Sequence, residues 1–349
     1  MAISAERYRA LVSGQAPGLW PALGRAGLWL ASHPYGWATG VRNVLYDRGW
    51  KGSHRAPVPV VSVGNLTLGG TGKTPCVEYV ARFLRDLGVQ VAILSRGYGS
   101  DAGRNDEAMV LEENLADVPH LQGANRVELA QLAFEELESE VLVLDDGFQH
   151  RRLARQLDLV LIDATNPWGH GYLTPRGLLR ESPRELRRAH AVIITRCDLV
   201  AEERVREIRD RVTRLASLPV FESVHRPLCL VDSGGQRESL ETAGNQPIAA
   251  FCGLGNPDAF RASLERLGLV PSLWKTYPDH HSYTRQDVEA LESWAAELPV
   301  GGFILTTQKD LVKLRVARLG DRPLWAVKIG LEFREGEARL RQMIDAAVQ

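Results

Sequence analysis

Six consecutive residues of this chain have the makings of a polyphosphate grip. Gly69-Gly70-Thr71-Gly72-Lys73-Thr74 follow a short β-branched run, Val58 to Val63, and precede a stretch with helical spacing. Glycines let the backbone turn its N–H groups toward a phosphate, and the N-terminus of the following helix adds positive potential. Lys73 is placed to reach β- and γ-phosphates, and the Thr74 hydroxyl to ligate Mg2+. The strict G-x-x-x-x-G-K-[ST] pattern needs glycine at position 67, where the chain has Thr67, so the match is to the shorter G-G-x-G-K-T form. A mere glycine-rich turn with an exposed lysine leaves unexplained why Lys-Thr falls at a helix start.

A second acidic element lies downstream. Leu142-Val143-Leu144 runs into Asp145-Asp146-Gly147-Phe148-Gln149-His150. A strand ending in acid beside a phosphate loop holds Mg2+ through a carboxylate, directly or through water. Neighbouring residues of a strand point to opposite sides, so only one of Asp145 and Asp146 faces the metal unless the chain turns there. The bland alternative is a solvated acidic turn, and the phosphate loop upstream argues against it.

Positioning these residues takes a sheet. Val89 to Leu94, Val141 to Leu144, Leu157 to Ile162 and Ala191 to Ile194 read as further buried strands. Helical spacing from Thr74 to Gly88 and from Glu128 to Glu138 falls between them, with a polar loop over about 100–108. The alternation predicts an α/β fold, a mostly parallel P-loop NTPase-like sheet with ligands at the carboxyl ends of its strands. Val231 to Asn245 reads as a hinge or loop. A smaller α/β unit follows, with strands Ile248 to Cys252, Ser272 to Thr276, Phe303 to Thr306 and Leu324 to Val327, and helices over 257–267 and 284–297. The expected division is 1–50 helical and membrane-associated, 51–220 the phosphate-binding core, and 221–349 the smaller domain with its linker, the last residues returning to the core.

The whole chain, 349 residues at a net charge of −1, has room for two such cores, and its charge does not call for nucleic acid. Cys76, Cys197, Cys229 and Cys252 form no C-x-x-C pair and read as reduced cytosolic thiols. No apolar run is long enough to span a bilayer, and the first residues lack a signal-peptide core. Residues 17–50 nevertheless hold Trp20, Trp29, Trp37 and Trp50 among Leu19, Leu23, Leu28 and Leu30, with Arg25 and Arg42 nearby. Such a segment either lies in a headgroup layer or packs on the domain core.

Several runs resemble the signatures of the tetraacyldisaccharide 4'-kinase family. They are Gly64-Asn65-Leu66-Thr67 with Gly69 to Pro75, Ser95-Arg96-Gly97-Tyr98-Gly99, Asp145 to His150, and Leu179-Arg180-Glu181. Gly253-Leu254-Gly255-Asn256-Pro257, Pro278-Asp279-His280-His281 and Thr306-Thr307-Gln308-Lys309-Asp310 continue the series in family order. The resemblance implies transfer of the ATP γ-phosphate to the 4'-hydroxyl of tetraacyldisaccharide 1-phosphate, giving lipid IVA of lipid A synthesis. It implies ATP and Mg2+ as cofactors, an acylated disaccharide lipid as substrate, and a peripheral enzyme at the cytoplasmic face of the inner membrane. That favours the membrane alternative for the Trp-rich segment. No nucleic acid and no obligate protein partner are expected. Two α/β domains joined by a flexible linker, with the active site between them, are implied as well.

Residue roles follow by motif position. Lys73 and Thr74 take phosphate and metal roles, and Asp145 and Asp146 match the acidic pair. Asp106 stands where the family has its catalytic aspartate in a Gly-Asp-Glu-Pro motif, which here reads Asn105-Asp106-Glu107-Ala108. His280 matches the histidine paired with that aspartate; without the family it reads as a surface-loop histidine beside His281. Arg180 and Glu181 match a phosphate-contacting arginine and a metal-linked acid, and Arg126 falls near a family arginine although Asn125 precedes it. A sugar hydroxyl is a poor nucleophile, and a carboxylate within hydrogen-bond reach can accept its proton, with the histidine orienting that carboxylate and sharing the proton.

Three other functions compete. Dimeric P-loop ATPases of protein or metal-centre maturation carry a lysine just before the two glycines, where this chain has Leu68. A GTPase would read guanine through an [NT]-K-x-D motif; Thr195-Arg196-Cys197-Asp198 replaces the stacking lysine by arginine, and Gly147 directly follows Asp146, so the Asp-x-x-Gly switch is missing. A non-catalytic membrane module would leave the loop and the aspartates unused.

Overall fold

The computed structural model of the chain describes residues 5–97, 106–243, 246–255 and 257–349. Tyr98, Gly99, Asn105 and Asn256 of the motifs above, and the start of the expected polar loop, lie outside the described residues. In chain order, helices α1 (Ala5–Ser13) and α2 (Leu19–Asp47) lead to strand β1 (Val60–Asn65), helix α3 (Lys73–Asp86) and strand β2 (Val91–Ser95). Next come α4 (Asp106–Asn114), β3 (His120–Gln122), α5 (Arg126–Leu137), β4 (Val141–Asp145), β5 (Leu157–Asp163) and β6 (Ala191–Thr195). Helix α6 (Glu202–Leu215), β7 (Val220–Val231), β8 (Arg237–Glu238), β9 (Ile248–Cys252), α7 (Pro257–Arg266) and β10 (Leu273–Thr276) follow. The chain closes with α8 (Arg285–Ala295), β11 (Phe303–Thr307), α9 (Gln308–Leu314), β12 (Arg318–Leu319), β13 (Arg322–Glu335) and α10 (Glu337–Ala346).

Two compact units emerge, one formed by Met1–Arg96, Val118–His225 and Leu331–Gln349, the other by Gly97–Asp117 and Arg226–Gly330. Strands β7 and β13 each begin in one unit and end in the other. The sequence pattern assigned 97–117 to the phosphate-binding core. It joins the second unit instead because α4 buries Ala108, Met109, Val110 and Leu111, with Met109 and Val110 packed on Val312 of α9.

In the first unit the strands run β7-β6-β5-β1-β4-β2-β3, each neighbouring pair parallel. Strands β1, β2, β4, β5 and β6 are buried along their whole length, as expected of a parallel sheet covered on both faces. Strand β1 lies between β4 and β5, so the loop that leaves it emerges where the order of strands reverses, the usual ligand crevice of such sheets. Helix α10 returns to α3, where the Tyr79 hydroxyl donates to Glu337 Oε1 at 2.9 Å.

Helix α2 is inside out. Its stripe Ser32, Tyr35, Gly36, Thr39, Asn43 and Tyr46 is buried or half-buried, while Leu23, Leu30, Trp37, Val41 and Val44 are exposed on the other side. Inward, the Tyr35 hydroxyl donates to the Arg180 carbonyl at 2.9 Å and Arg151 Nη1 to the Asn43 carbonyl at 3.0 Å. A Cβ on Gly36 would lie 2.7 Å from Leu173 Cδ1, so glycine sets how closely the helix approaches. Ordinary surface helices show the reverse polarity. Among the described residues no helix is long and apolar enough to cross a membrane.

In the second unit β10-β9-β11-β13 are parallel neighbours, with β12 antiparallel to β13 and β8 antiparallel to β7. Its core on one side centres on Phe251, whose ring meets Tyr277, Tyr283 and Trp294 edge-on at 6.2, 6.0 and 6.5 Å. All four cysteines are free thiols, three of them buried. Phe251→Ala removes the hub of that aromatic cluster, and a loss of about 3–5 kcal/mol is expected. Urea unfolding followed by tryptophan fluorescence measures it; a change under ~1 kcal/mol would mean that the cluster does not hold this unit together.

Candidate functional site

The phosphate loop leaves β1 and enters α3. Gly72, its last glycine, caps the helix with left-handed φ 90° and ψ 24°, a conformation that a side chain resists. Behind it the imidazole of half-buried His225 occupies the space into which a Gly72 side chain would project. Burial, reinforced by the Arg196 charge, pushes that histidine down to about 3, so it is a neutral wedge. On Gly69 and Gly70 a Cβ would meet nothing within 4 Å. The loop is thus braced on one side and bare on the other.

Thr71 supplies the brace. Its carbonyl accepts from the Thr195 hydroxyl at the end of β6, and its own hydroxyl accepts from Asn65 Nδ2 at the end of β1, each at 2.8 Å. Asn65 passes the contact on, since its Oδ1 accepts from Arg180 Nη1 at 3.2 Å. The segment carrying Arg180 runs beside the loop entry: Arg180 N–H donates to the Leu66 carbonyl at 2.8 Å, and Leu68 N–H to the Leu178 carbonyl at 2.7 Å.

The acidic pair sits at the end of β4, and the chain does turn there. Asp145 is the last strand residue, beside Val63 of β1, and Asp146 adopts φ 53°. The break from strand geometry swings the second carboxylate to the loop. Arg180 grips it with both nitrogens, Nη1 to Oδ1 at 2.6 Å and Nη2 to Oδ2 at 2.9 Å, and Lys73 Nζ lies 3.8 Å from Oδ1. Burial alone would push the Asp146 carboxyl up; the Arg180 hydrogen bonds, with the charges of Lys73 and Arg126, outweigh it and hold the group below the usual range. Arg126, at the start of α5, is buried. Burial, and after it the charges of Arg126, Arg155, Arg152 and Arg96, push His150 down to about 4.

Glu181 is placed differently from the expected metal-linked acid. Its carboxylate is buried, and both oxygens are taken by protein donors. Asn43 Nδ2 donates to Oε2 at 2.8 Å, Arg42 Nη2 to Oε1 at 3.3 Å, and Arg188 Nη2 lies 3.0 Å from Oε2. In this arrangement Glu181 anchors α2 to the segment that carries Arg180.

The second unit presents a separate constellation at the carboxyl ends of its own strands. Asp106 opens α4 and is buried. Its carboxylate accepts from His280 Nδ1 at 2.9 and 3.1 Å, from a loop that follows β10, and Lys313 Nζ of α9 lies 3.7 Å away. Lys309 of α9 pairs with Glu107 at 2.6 Å. Burial raises the Asp106 carboxyl, but the His280 hydrogen bond and the charges of Lys309 and Lys313 overcome it and hold the group down. The same hydrogen bond, against burial, raises the imidazole of His280. The neighbouring histidine does other work: His281 stacks on Tyr277 at 4.8 Å and reaches Asp287 Oδ2 of the α8 capping box at 3.1 Å. Buried Asp310 organises the surrounding turns, accepting from Gly253 N–H at 3.0 Å, the Tyr283 hydroxyl at 3.0 Å and the Thr307 hydroxyl at 2.7 Å.

The structure brings Lys73, Asp146 and Arg180 together, and sequence patterns give no hint of Asn65, Thr195 and His225 as braces. Asn65 was legible only as a polar residue ending a strand, and Thr195 and His225 come from strands far along the chain. Arg196, the position weighed for guanine reading, is instead ion-paired with Asp163. Among the described residues no cluster of three or more His, Cys, Asp or Glu side chains forms a metal cage.

Comparison with known proteins agrees with this geometry. The family profile described as "Tetraacyldisaccharide-1-P 4'-kinase" matches residues 25–349. A tetraacyldisaccharide 4'-kinase of Anaeromyxobacter dehalogenans (strain 2CP-C) is 42% identical over 342 residues, covering 92% of this chain and 90% of that protein. Another from Syntrophus aciditrophicus is 41% identical over 300 residues, covering 78% and 80%. The crystal structure of the "apo" form of LpxK from Aquifex aeolicus, in complex with ATP, matches with a TM-score of 0.76 and 30% identity over 93% of this chain and 99% of that one. A braced glycine loop, an acidic pair behind it and relatives alike over nearly the whole length place the chain in the tetraacyldisaccharide 4'-kinase family, the kinases of lipid A biosynthesis.

Proposed function

We propose that this chain binds ATP on the Gly69–Thr74 loop and transfers its γ-phosphate to the 4'-hydroxyl of tetraacyldisaccharide 1-phosphate, forming lipid IVA. The phosphate loop carries the reading: bare at Gly69 and Gly70, braced through Thr71, and flanked by Lys73 and Arg180 on one carboxylate. Backbone N–H groups of residues 69–74 receive the phosphates at the start of α3. Lys73 and Arg180, now on Asp146, turn to the terminal phosphate as it arrives and neutralise its charge in transfer.

The donor set also fits Mg2+. That ion keeps several waters and binds through one or two carboxylates plus substrate phosphates, so no all-protein cage is needed. Thr74 with Asp145 and Asp146 would hold it, and it would supply neutralisation of the β- and γ-oxygens. Glu181, with both oxygens taken, serves the site as an anchor.

Asp106 is the group that accepts the proton of the sugar hydroxyl, and His280 orients that carboxylate and shares the proton. The acyl chains of the substrate demand a lipid surface, and the exposed apolar face of α2 supplies the docking element. ATP is a cytoplasmic metabolite, so the leaflet docked is the cytoplasmic one.

Three outcomes test these roles. Asp106→Ala should lower kcat by about 10²–10⁴-fold while ATP affinity, read with a fluorescent nucleotide, stays within a factor of about two. Near-normal kcat in that variant removes Asp106 from the chemistry. The pH profile gives a second check. A carboxyl held low must be ionised to act, so the acid limb of kcat lies below the ordinary carboxyl range and activity falls as pH drops through it. Replacing His280 by Gln removes the main force holding Asp106 down, and the acid limb should move to higher pH; a limb that stays put or moves lower contradicts the pairing. For docking, Leu30→Glu with Trp37→Glu should weaken co-sedimentation with phosphatidylethanolamine–phosphatidylglycerol vesicles by at least about tenfold, since two exposed apolar side chains lose their burial. Unchanged partitioning would take the α2 face out of membrane binding.

A further inference from the structure

We propose that Asn43 and Tyr35, on the inward stripe of α2, are positioning residues for Arg180. The inference rests on the reading above that Arg180 meets the terminal phosphate. Tyr35 holds the Arg180 carbonyl at 2.9 Å, and Asn43 holds the adjoining Glu181 carboxylate at 2.8 Å. Arg180 N–H is fixed to Leu66 at 2.8 Å. The backbone of Arg180 is therefore clamped between α2 on one side and the entry to the phosphate loop on the other. Its guanidinium then reaches Asp146 and Asn65, and Asn65 reaches Thr71 of the loop. An unbroken series of hydrogen bonds runs from the inward face of α2 to the backbone that receives phosphate.

The chemistry of this junction points past simple anchoring. A helix held only by packing would press leucines inward. Here α2 turns its apolar residues outward and spends a buried amide on a buried carboxylate. Asn43 is 2% exposed and Glu181 1% exposed. Removing a carboxylate from water is costly, and three donors are needed to offset it. Directional bonds, unlike packing, fix the backbone at both the Arg180 carbonyl and the next side chain. Displacements of about 1 Å at such a distance from the chemistry cost on the order of 10²-fold in rate.

A double-mutant cycle tests the assignment. Asn43→Ala should lower kcat/KM for ATP roughly 10–100-fold, and Tyr35→Phe, which removes one hydroxyl and threatens folding least, should lower it by several-fold. In an Arg180→Ala background neither change should cost more than about twofold, because the residue being positioned is gone. A purely structural role makes the losses multiply in both backgrounds, and that result overturns the inference. So does a normal kcat/KM for both single variants while Arg180→Ala is impaired. If Arg180→Ala itself keeps full kcat/KM, the role given to Arg180 fails and this inference falls with it. Tyr35→Phe should keep the parent's thermal midpoint, Asn43→Ala should lower it because buried Glu181 loses a donor, and vesicle co-sedimentation of both should match the parent; a detached α2 that lowers co-sedimentation, with activity lost in proportion, also counts against positioning.

Discussion

One carboxylate keeps two cations in place at the mouth of the phosphate loop. Lys73 and Arg180 carry like charges that would repel at this separation, and Asp146 is the anion between them. Its position depends on a single backbone feature, the left-handed turn at Asp146 that ends β4. Because Asp146 is half-buried, the pairing is worth more than its surface equivalent, and removing one partner would leave a charge short of solvation. In the proposed reaction a triphosphate would offer the cations a second anion of greater charge, so nucleotide entry would exchange one pairing for another rather than create unpaired charge. The braces on Thr71 make sense in that light: the loop must stay open and rigid while its side chains change partners.

The N-terminal helix inverts the usual hydrophobic logic, and the inversion has two faces that explain each other. Apolar side chains left outside cost nothing once a lipid surface covers them. Polar side chains turned inside cost a great deal unless every one finds a partner. Asn43, Arg42 and Tyr35 find theirs on the Arg180–Glu181 segment, so the helix with the apolar outer face is the one that grips Arg180. An apolar inner face would take Asn43 and Arg42 from Glu181 and leave its buried carboxylate to Arg188.

Much of this was legible in the residue pattern, and the exceptions share a cause. The phosphate loop, the acidic strand end and the alternation of buried strands rest on local rules, so β1, α3, β4, β5, β6 and β9 fall within a few residues of their expected places. Asp106 is different. Its surroundings read as polar loop, yet α4 starts there and carries it into the second unit, because four apolar residues in a row, Ala108 to Leu111, need a partner and find α9. The family resemblance matches Glu181 to a metal-linked acid, whereas the partner of its carboxylate comes from α2, more than a hundred residues earlier. No spacing rule reports a partner at that distance. The same holds for His225 behind Gly72, a contact between β7 and a loop after β1.

The Asp106–His280 pair raises a question of strength, since a carboxyl held low is a poor base. Three cations or donors around it, His280, Lys309 and Lys313, all favour the ionised form. Phosphoryl transfer tolerates such a base. Its transition state is loose, with little bond formation to the attacking oxygen, so the hydroxyl proton becomes acidic only late. What the proposed reaction needs first is an oriented acceptor that is already ionised at neutral pH, and the lowered position of Asp106 favours that form. Once the proton is transferred, a histidine whose own affinity for protons is raised by the same hydrogen bond stands in line to share it. The two shifts are opposite in sign and share one hydrogen bond, while His281 is committed to the α8 cap.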